Sequence, residues 1–465
     1  MTWSDDVVEV SPLKRREIVD ALRIGAVPRR GLELFAMGLE RFEKAIDEEL
    51  DAVATGRGKF KAVRGEYGTG KTFFSRWLEH RALQKGFATT LVQISETETP
   101  LYRMETVYRR AVEALQTKEW SDGAFRSLID RWFFNLEEEA LSAGTVDTAS
   151  ADAVARAVGE LLEQRLHAVS KTQPQFAAAL RACHTARVKG DYATAEGLVA
   201  WLMGQPNVGA SIKRAANIKG DLDHDGAGGF LRGLLEVLKQ TGRSGLVLVL
   251  DEVETIQRVR ADSREKSLNG LRQLIDDLVA DRYPGLYVLI TGTPQFFDGT
   301  QGVKRSTPLA QRLHTEFGTD PRFDSARAPQ LRLQPFDVEK MVTVGRRVRE
   351  LYPSTASARV RATVDDEVVR SLAHGVAGSL GGKVGIAPRI FLKRLVDLLD
   401  KVDEHPDFKP REHFQLVVNA SELTTEERSA AGVAASLDEI DLSAGQPLTK
   451  ARAQAHADDD DEGLG

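Results

Sequence analysis

The sequence predicts an α/β fold: a parallel sheet with helices on both faces, interrupted by a large helical insertion and followed by a mainly helical C-terminal unit. Three observations carry this expectation. A glycine-rich segment, Gly65 to Thr72, stands between a short strand pattern and a strong helix pattern. Two short apolar runs, GLVLVL at 245–250 and LYVLIT at 286–291, have the character of strands buried on both faces. Strands alternating with helices imply a parallel sheet, because parallel neighbours need a long crossover connection.

The elements follow in chain order. Residues 12–55 read as helical, first through Ile18, Ala21 and Leu22 on one face, then through Leu34, Phe35, Leu39, Phe42 and Ile46. Between them Gly25 to Gly31 reads as a loop. Lys59–Val63 is a short strand, Phe73–Gln84 a helix ending at Gly86, and FATTLVQI at 87–94 a second strand. An alanine-rich helical stretch fills about 101–240. After GLVLVL come a helix over about Asn269–Ala280 and the strand LYVLIT. From about Leu331 the pattern turns helical, with Met341–Leu351, Asp365–Ala373 and Pro388–Asp400 as elements. This divides the chain into an N-terminal helical linker (1–58), a core with its insertion (59–330), and a helical lid (331–420). Residues 421–465 form a tail whose acidic run, Asp458–Glu462, reads as solvated and disordered. A winged helix at 360–420, with HFQLVVNASEL supplying a strand, is the alternative reading of the lid.

Bulk properties narrow the function classes. The formal net charge is -6, which excludes a global basic field for nucleic acid. Cys183 is the single cysteine, so no internal disulfide forms, and a reducing cytoplasm is the expected location. No apolar run is long enough to cross a bilayer, and the first residues lack a signal-peptide core. His314, His374 and His405 lack metal-ligand spacing.

The chemistry sits in four segments. GEYGTGKT (Gly65, Glu66, Tyr67, Gly68, Thr69, Gly70, Lys71, Thr72) matches the phosphate-binding pattern G-x-x-x-x-G-K-[ST] at every fixed position. Its glycines let the backbone turn its N–H groups towards phosphate oxygens, and the following helix adds its N-terminal partial charge. Lys71 is the expected grip on the β- and γ-phosphates of ATP, and the Thr72 hydroxyl a Mg²⁺ ligand. In LVLVLDEVE the buried strand ends in Asp251, expected to complete the Mg²⁺ shell, and Glu252, expected to activate water. Glu254 reads as a spare, solvated carboxylate. In LYVLITGTP, Thr291 or Thr293 is the candidate γ-phosphate sensor. Arg312, with Arg305 before it, is the candidate arginine finger, and Arg389 in GIAPR the candidate lid arginine. The basic cluster Lys340, Arg346, Arg347 and Arg349 reads as a solvated helix face, and DLDHDG around His224 as a polar turn.

Taken together these segments resemble the AAA+ superfamily of P-loop ATPases, and GIAPR is similar to the second sensor of its initiator-like clade. The resemblance implies that Arg389 is that sensor and Thr291 or Thr293 the first. The stretch from Thr72 to Asp251 is longer than an AAA+ core needs, hence the insertion. A narrower resemblance lies in ALRIGAVPRRGLELFAMG, GEYGTGKTFF and LYRMETVYRRAVEAL, which look like the BrxD-like ATP-binding proteins of BREX phage-defence systems, over roughly residues 20–400. It implies an ATPase acting in phage resistance, coupling ATP binding and hydrolysis to remodelling or assembly of other defence proteins, with Gly25–Pro28 near the adenine. A DNA-binding loader and a slow nucleotide-dependent scaffold stand as alternatives. DNA and a second copy of the chain stay open as partners.

Overall fold

The computed structural model describes residues 10–34, 36–142, 151–379, 387–416 and 440–441. Five parallel strands, β1 (Lys59–Arg64), β2 (Ala88–Gln93), β3 (Leu246–Asp251), β4 (Leu286–Gly292) and β5 (Gln330–Arg332), form one sheet in the order β2-β3-β4-β1-β5. Successive side chains of a strand point to opposite faces, and the sheet obeys this. Val63, Val247, Val249, Tyr287 and Leu289 face one core with α2 (Glu40–Ala54) and α3 (Lys71–Gln84). Ala62, Leu248, Leu250, Val288 and Ile290 face the other. That second face is covered by the long β2–β3 crossover and by α11 (Ala261–Val279). The crossover holds α4 (Met104–Glu113), α5 (Ala124–Ser142), α6 (Ala151–Thr172), α7 (Pro174–Val188), α8 (Tyr192–Leu202), α9 (Ala210–Ala215) and α10 (His224–Gln240). Asp223 caps the start of α10 through the Gly226 N–H at 2.8 Å, so DLDHDG is a capping turn.

Two short helices, α12 (Pro294–Asp298) and α13 (Thr307–Arg312), follow β4. Where the sequence predicts helix from about Leu331, the chain first makes β5. Three residues at a sheet edge are too few to display a period, but Leu331 is buried and pairs beside Val63. Then come α14 (Val338–Leu351), α15 (Ser357–Thr363), α16 (Asp366–Ser379), α17 (Ala387–Glu404) and α18 (Pro410–His413). Gln415–Leu416 pairs antiparallel with Ile440–Asp441, so part of HFQLVVNASEL does make a strand, and the rest lies outside the described residues. The acidic run lies outside them too.

The described residues of the segment 1–58 pack in two places. The first helix, α1 (Pro12–Arg23), places Ile18, Val19 and Leu22 in the core of α14 to α17, whereas α2 packs on the sheet. Arg23 fastens this arrangement with a bidentate pair to Asp400 of α17 at 2.8 and 2.9 Å. Leu34, expected in the second helix, ends a 3₁₀ turn, and α2 begins only at Glu40. On the sheet side α2 is pinned by Glu49. Its carboxylate meets the buried Lys61 ammonium at 2.6 Å and accepts from the Tyr287 hydroxyl at 2.7 Å.

Candidate functional site

The carboxyl ends of β1, β3 and β4 converge on one crevice, where ligands of open α/β sheets collect. The chain leaves β1 towards β2 on one side, and leaves β4 towards β5 on the other. The segment Gly65–Thr72 fills the turn from β1 into α3. Gly70 has φ of 91°, a left-handed conformation that would strain any residue with a Cβ. A Cβ on Gly65 would lie 2.3 Å from the Thr69 hydroxyl, which itself donates to the Glu66 carbonyl at 2.8 Å. These two glycines therefore let the loop close on itself and turn into the helix.

Lys71 opens α3 and is nearly buried. Its ammonium donates to the Gly65 carbonyl at 2.9 Å, lies 4.9 Å from the Tyr67 ring centroid, and is 3.9 Å from the Glu254 carboxylate. Thr72 donates to Asp251 at 3.0 Å. Thr291, on the neighbouring strand, donates a short hydrogen bond to the other Asp251 oxygen and accepts the Glu252 N–H at 3.1 Å. The structure thus joins Thr72, Asp251 and Thr291 in one hydrogen-bonded chain. Thr293 is buried at the start of α12, directly after the strand.

Glu252 sits in the left-handed region, φ 59°, where β3 turns abruptly. Its carboxylate accepts from the Gln93 side chain at 2.9 Å, across from the end of β2. The 3₁₀ turn Val253–Arg258 then folds back under the crevice. This overturns the reading of Glu254 as a solvated carboxylate. Glu254 is only 5% exposed, and neither oxygen accepts a hydrogen bond from another residue. Burial pushes its carboxyl up to about 7, against the pull of Lys71 and with a push from Glu252 and Asp251. A tight turn after the strand brings the third residue on back to the strand end. The spacing in DEVE carries that signal only if the turn is foreseen. Gln93 was missed as well, since nothing in FATTLVQI distinguishes it from an ordinary strand-end amide.

The crevice opens into a cavity of about 620 Å³ between the sheet and the C-terminal helices. Lys71, Thr72, Glu252 and Glu254 line one end. Val27, Phe42, Phe336 and Leu392 line an apolar part, together with the turn Gly25–Pro28. Arg389 of α17 is in the wall, close against Gly25: a Cβ there would be 3.5 Å from the arginine's Cγ. The cavity is large enough for a nucleotide and has the mixed lining of a small-molecule site. The family profile of the BREX system ATP-binding protein BrxC/D matches residues 10–418. The chain belongs to this family. The BrxC/D match runs through both the sheet and the helices α14 to α17, so every residue lining the cavity falls within it. No curated protein matches the chain.

Not every residue expected at the site of this BrxC/D protein reaches the cavity. The Arg312 guanidinium is engaged by Asp276 of α11, at 3.1 Å for one of its contacts and closer for the other. Arg305 pairs with Glu265 at 2.8 Å. The basic cluster of α14 is largely neutralised: Arg346 and Arg349 pair with Asp366 at 3.0 and 2.9 Å, and Lys340 with Asp337 at 3.2 Å. Lys340 also lines the cavity, which the sequence did not suggest. No described helix is long and apolar enough to cross a membrane.

Proposed function

We propose that this chain is an AAA+-type P-loop ATPase that turns ATP binding and hydrolysis into remodelling or assembly of other phage-defence components. The observation that carries this reading is the hydrogen-bonded chain Thr72–Asp251–Thr291, whose Thr72 lines a nucleotide-sized cavity together with Lys71. Lys71 grips the β- and γ-phosphates, helped by the N–H groups that open α3. The apolar part of the cavity beside Gly25–Pro28 takes the base. Arg389 reaches the triphosphate from the helical unit.

The donor set suits Mg²⁺. Thr72 and Asp251 offer hard oxygens 3.0 Å apart. Among the described residues no group of three or more His, Cys, Asp or Glu side chains is placed to cage a metal. Mg²⁺ commonly takes few protein ligands and completes its shell with phosphates and water. When bound it neutralises charge developing on the phosphates. Glu252, held by Gln93, orients and deprotonates the attacking water, and Thr291 fixes the Asp251 carboxylate and the Glu252 backbone together.

Two variants test this. Lys71→Ala loses MgATP binding in calorimetric titration. Glu252→Gln binds MgATP as the unaltered chain does and hydrolyses it about 10²–10⁴ times more slowly, the usual loss when a general base is removed. Undiminished affinity in the first variant, or undiminished turnover in the second, overturns the assignment.

A further inference from the structure

Glu254 has no place in the reaction as just described, yet it is buried inside the site. Among the described residues its two oxygens accept no hydrogen bond from another residue; it lines the cavity beside Lys71, whose ammonium is 3.9 Å away. A buried carboxylate with a single cation beside it depends on that cation for its charge. Lys71 is also the group that a triphosphate would claim.

We propose that Glu254 competes with the phosphates for Lys71 and takes up a proton when they win. The proposal rests on the ATP-binding reading of the site. It makes Glu254 a positioning residue: it meets the lysine between nucleotides and becomes a neutral acid when the phosphates are seated, so that it adds no further anion beside them.

The charges around Glu254 support this. Lys71 comes from α3, and Glu252 and Asp251 from the end of β3. Arg258, at the end of the same turn, pairs with Glu96 at 3.8 Å. The elements packed on this turn are β4, α11 and α12. The one titratable group of β4, Tyr287, faces Glu49 across the sheet, and Asp298 of α12 pairs with Arg64. In α11, Asp262 pairs with Arg260, Glu265 with Arg305, and Arg264 donates to the Val259 carbonyl. Among the charges that act on Glu254, Lys71 is the cation that bears most on it. Engaging Lys71 with phosphate leaves the carboxylate beside Glu252 and a nucleotide that stays a net anion with Mg²⁺ bound, and both favour the protonated form. Burial already brings the group close to neutral pH, so the proton is available there.

The sign of the effect follows. Protons taken up on binding make affinity greatest on the acid side and weaker as pH rises. The experiment titrates the full chain calorimetrically with the Mg²⁺ complex of the β,γ-imido analogue of ATP, from pH 7 to 9, in two buffers of different ionisation enthalpy. Up to about one proton is taken up per nucleotide, and Kd rises by as much as about tenfold per pH unit. Glu254→Gln takes up none, and its Kd stays flat within about twofold over the range. Proton uptake by the unaltered chain is read without any variant, so the proposal can fail even if Glu254→Gln does not fold. Absence of uptake, or equal uptake in the folded variant, overturns it while leaving nucleotide binding intact. Absence of binding at every pH instead removes the ATP-binding reading on which it rests.

Discussion

At the residue scale, the Thr291 hydroxyl performs two tasks at once: it donates to Asp251 and accepts the Glu252 N–H. Valine has the same shape but neither function. Thr291→Val therefore leaves a buried carboxylate oxygen and a backbone N–H without partners, a loss of about 1–3 kcal/mol for each unsatisfied group. Denaturant unfolding reads the stability, and steady-state hydrolysis is expected to fall alongside it. A variant as stable and active as the parent removes Thr291 from the site. Much of this neighbourhood was legible in the sequence. The loop Gly65–Thr72 announces itself because each fixed position has a steric or chemical reason, and Asp251 because an apolar strand ends on it. Glu254 was not legible. Its burial comes from a left-handed residue at 252 and a 3₁₀ turn, and neither leaves a periodic trace.

At the scale of elements, the pin between α2 and the sheet joins one acid to a lysine and a tyrosine. Lys61 is 2% exposed, and its ammonium also donates to the Ala328 carbonyl at 2.9 Å, so Glu49 holds β1, β4 and the approach to β5 together. Removing one partner of a buried pair strands the other. Glu49→Ala is expected to destabilise the fold by about 3–5 kcal/mol, whereas the paired replacement Glu49→Leu with Lys61→Met recovers part of that loss, the buried Tyr287 hydroxyl still lacking its acceptor. Chemical denaturation of the single and double variants checks both numbers. The strands β2, β3 and β4 were readable from apolar, β-branched runs. The edge strand β5 was not, because QLR is too short to show a pattern and derives its conformation from its neighbour. The helix α11 begins at Ala261, eight residues before the predicted start, because its first turns are polar and face solvent.

At the scale of the whole molecule, the cavity lies between two packed bodies: the sheet with α2 and α3 on one side, and α1 with α14 to α17 on the other. A ligand that touches both walls binds the folded arrangement only. MgATP at about 100 times its Kd is expected to add about 2.7 kcal/mol to the unfolding free energy, and Lys71→Ala removes this gain. Hydrogen exchange then shows α1 and α17 gaining protection together, because Arg23–Asp400 and a common core unite them. Separate responses of the two helices contradict the shared unit. The domain plan read from the sequence treated the first 58 residues as one linker. Hydrophobic periodicity reveals that α1 has an apolar face, but not which distant surface that face meets.

The position of α1 also bears on how the chain is made. Its apolar face, Ile18, Val19 and Leu22, belongs to a core completed by residues beyond Met341. A ribosome releases the first helix long before α14 to α17 exist, and domains fold as units in order of synthesis. The sheet can therefore finish while α1 still waits with its apolar residues in water, and α14 to α17, made much later, must come back to fetch it.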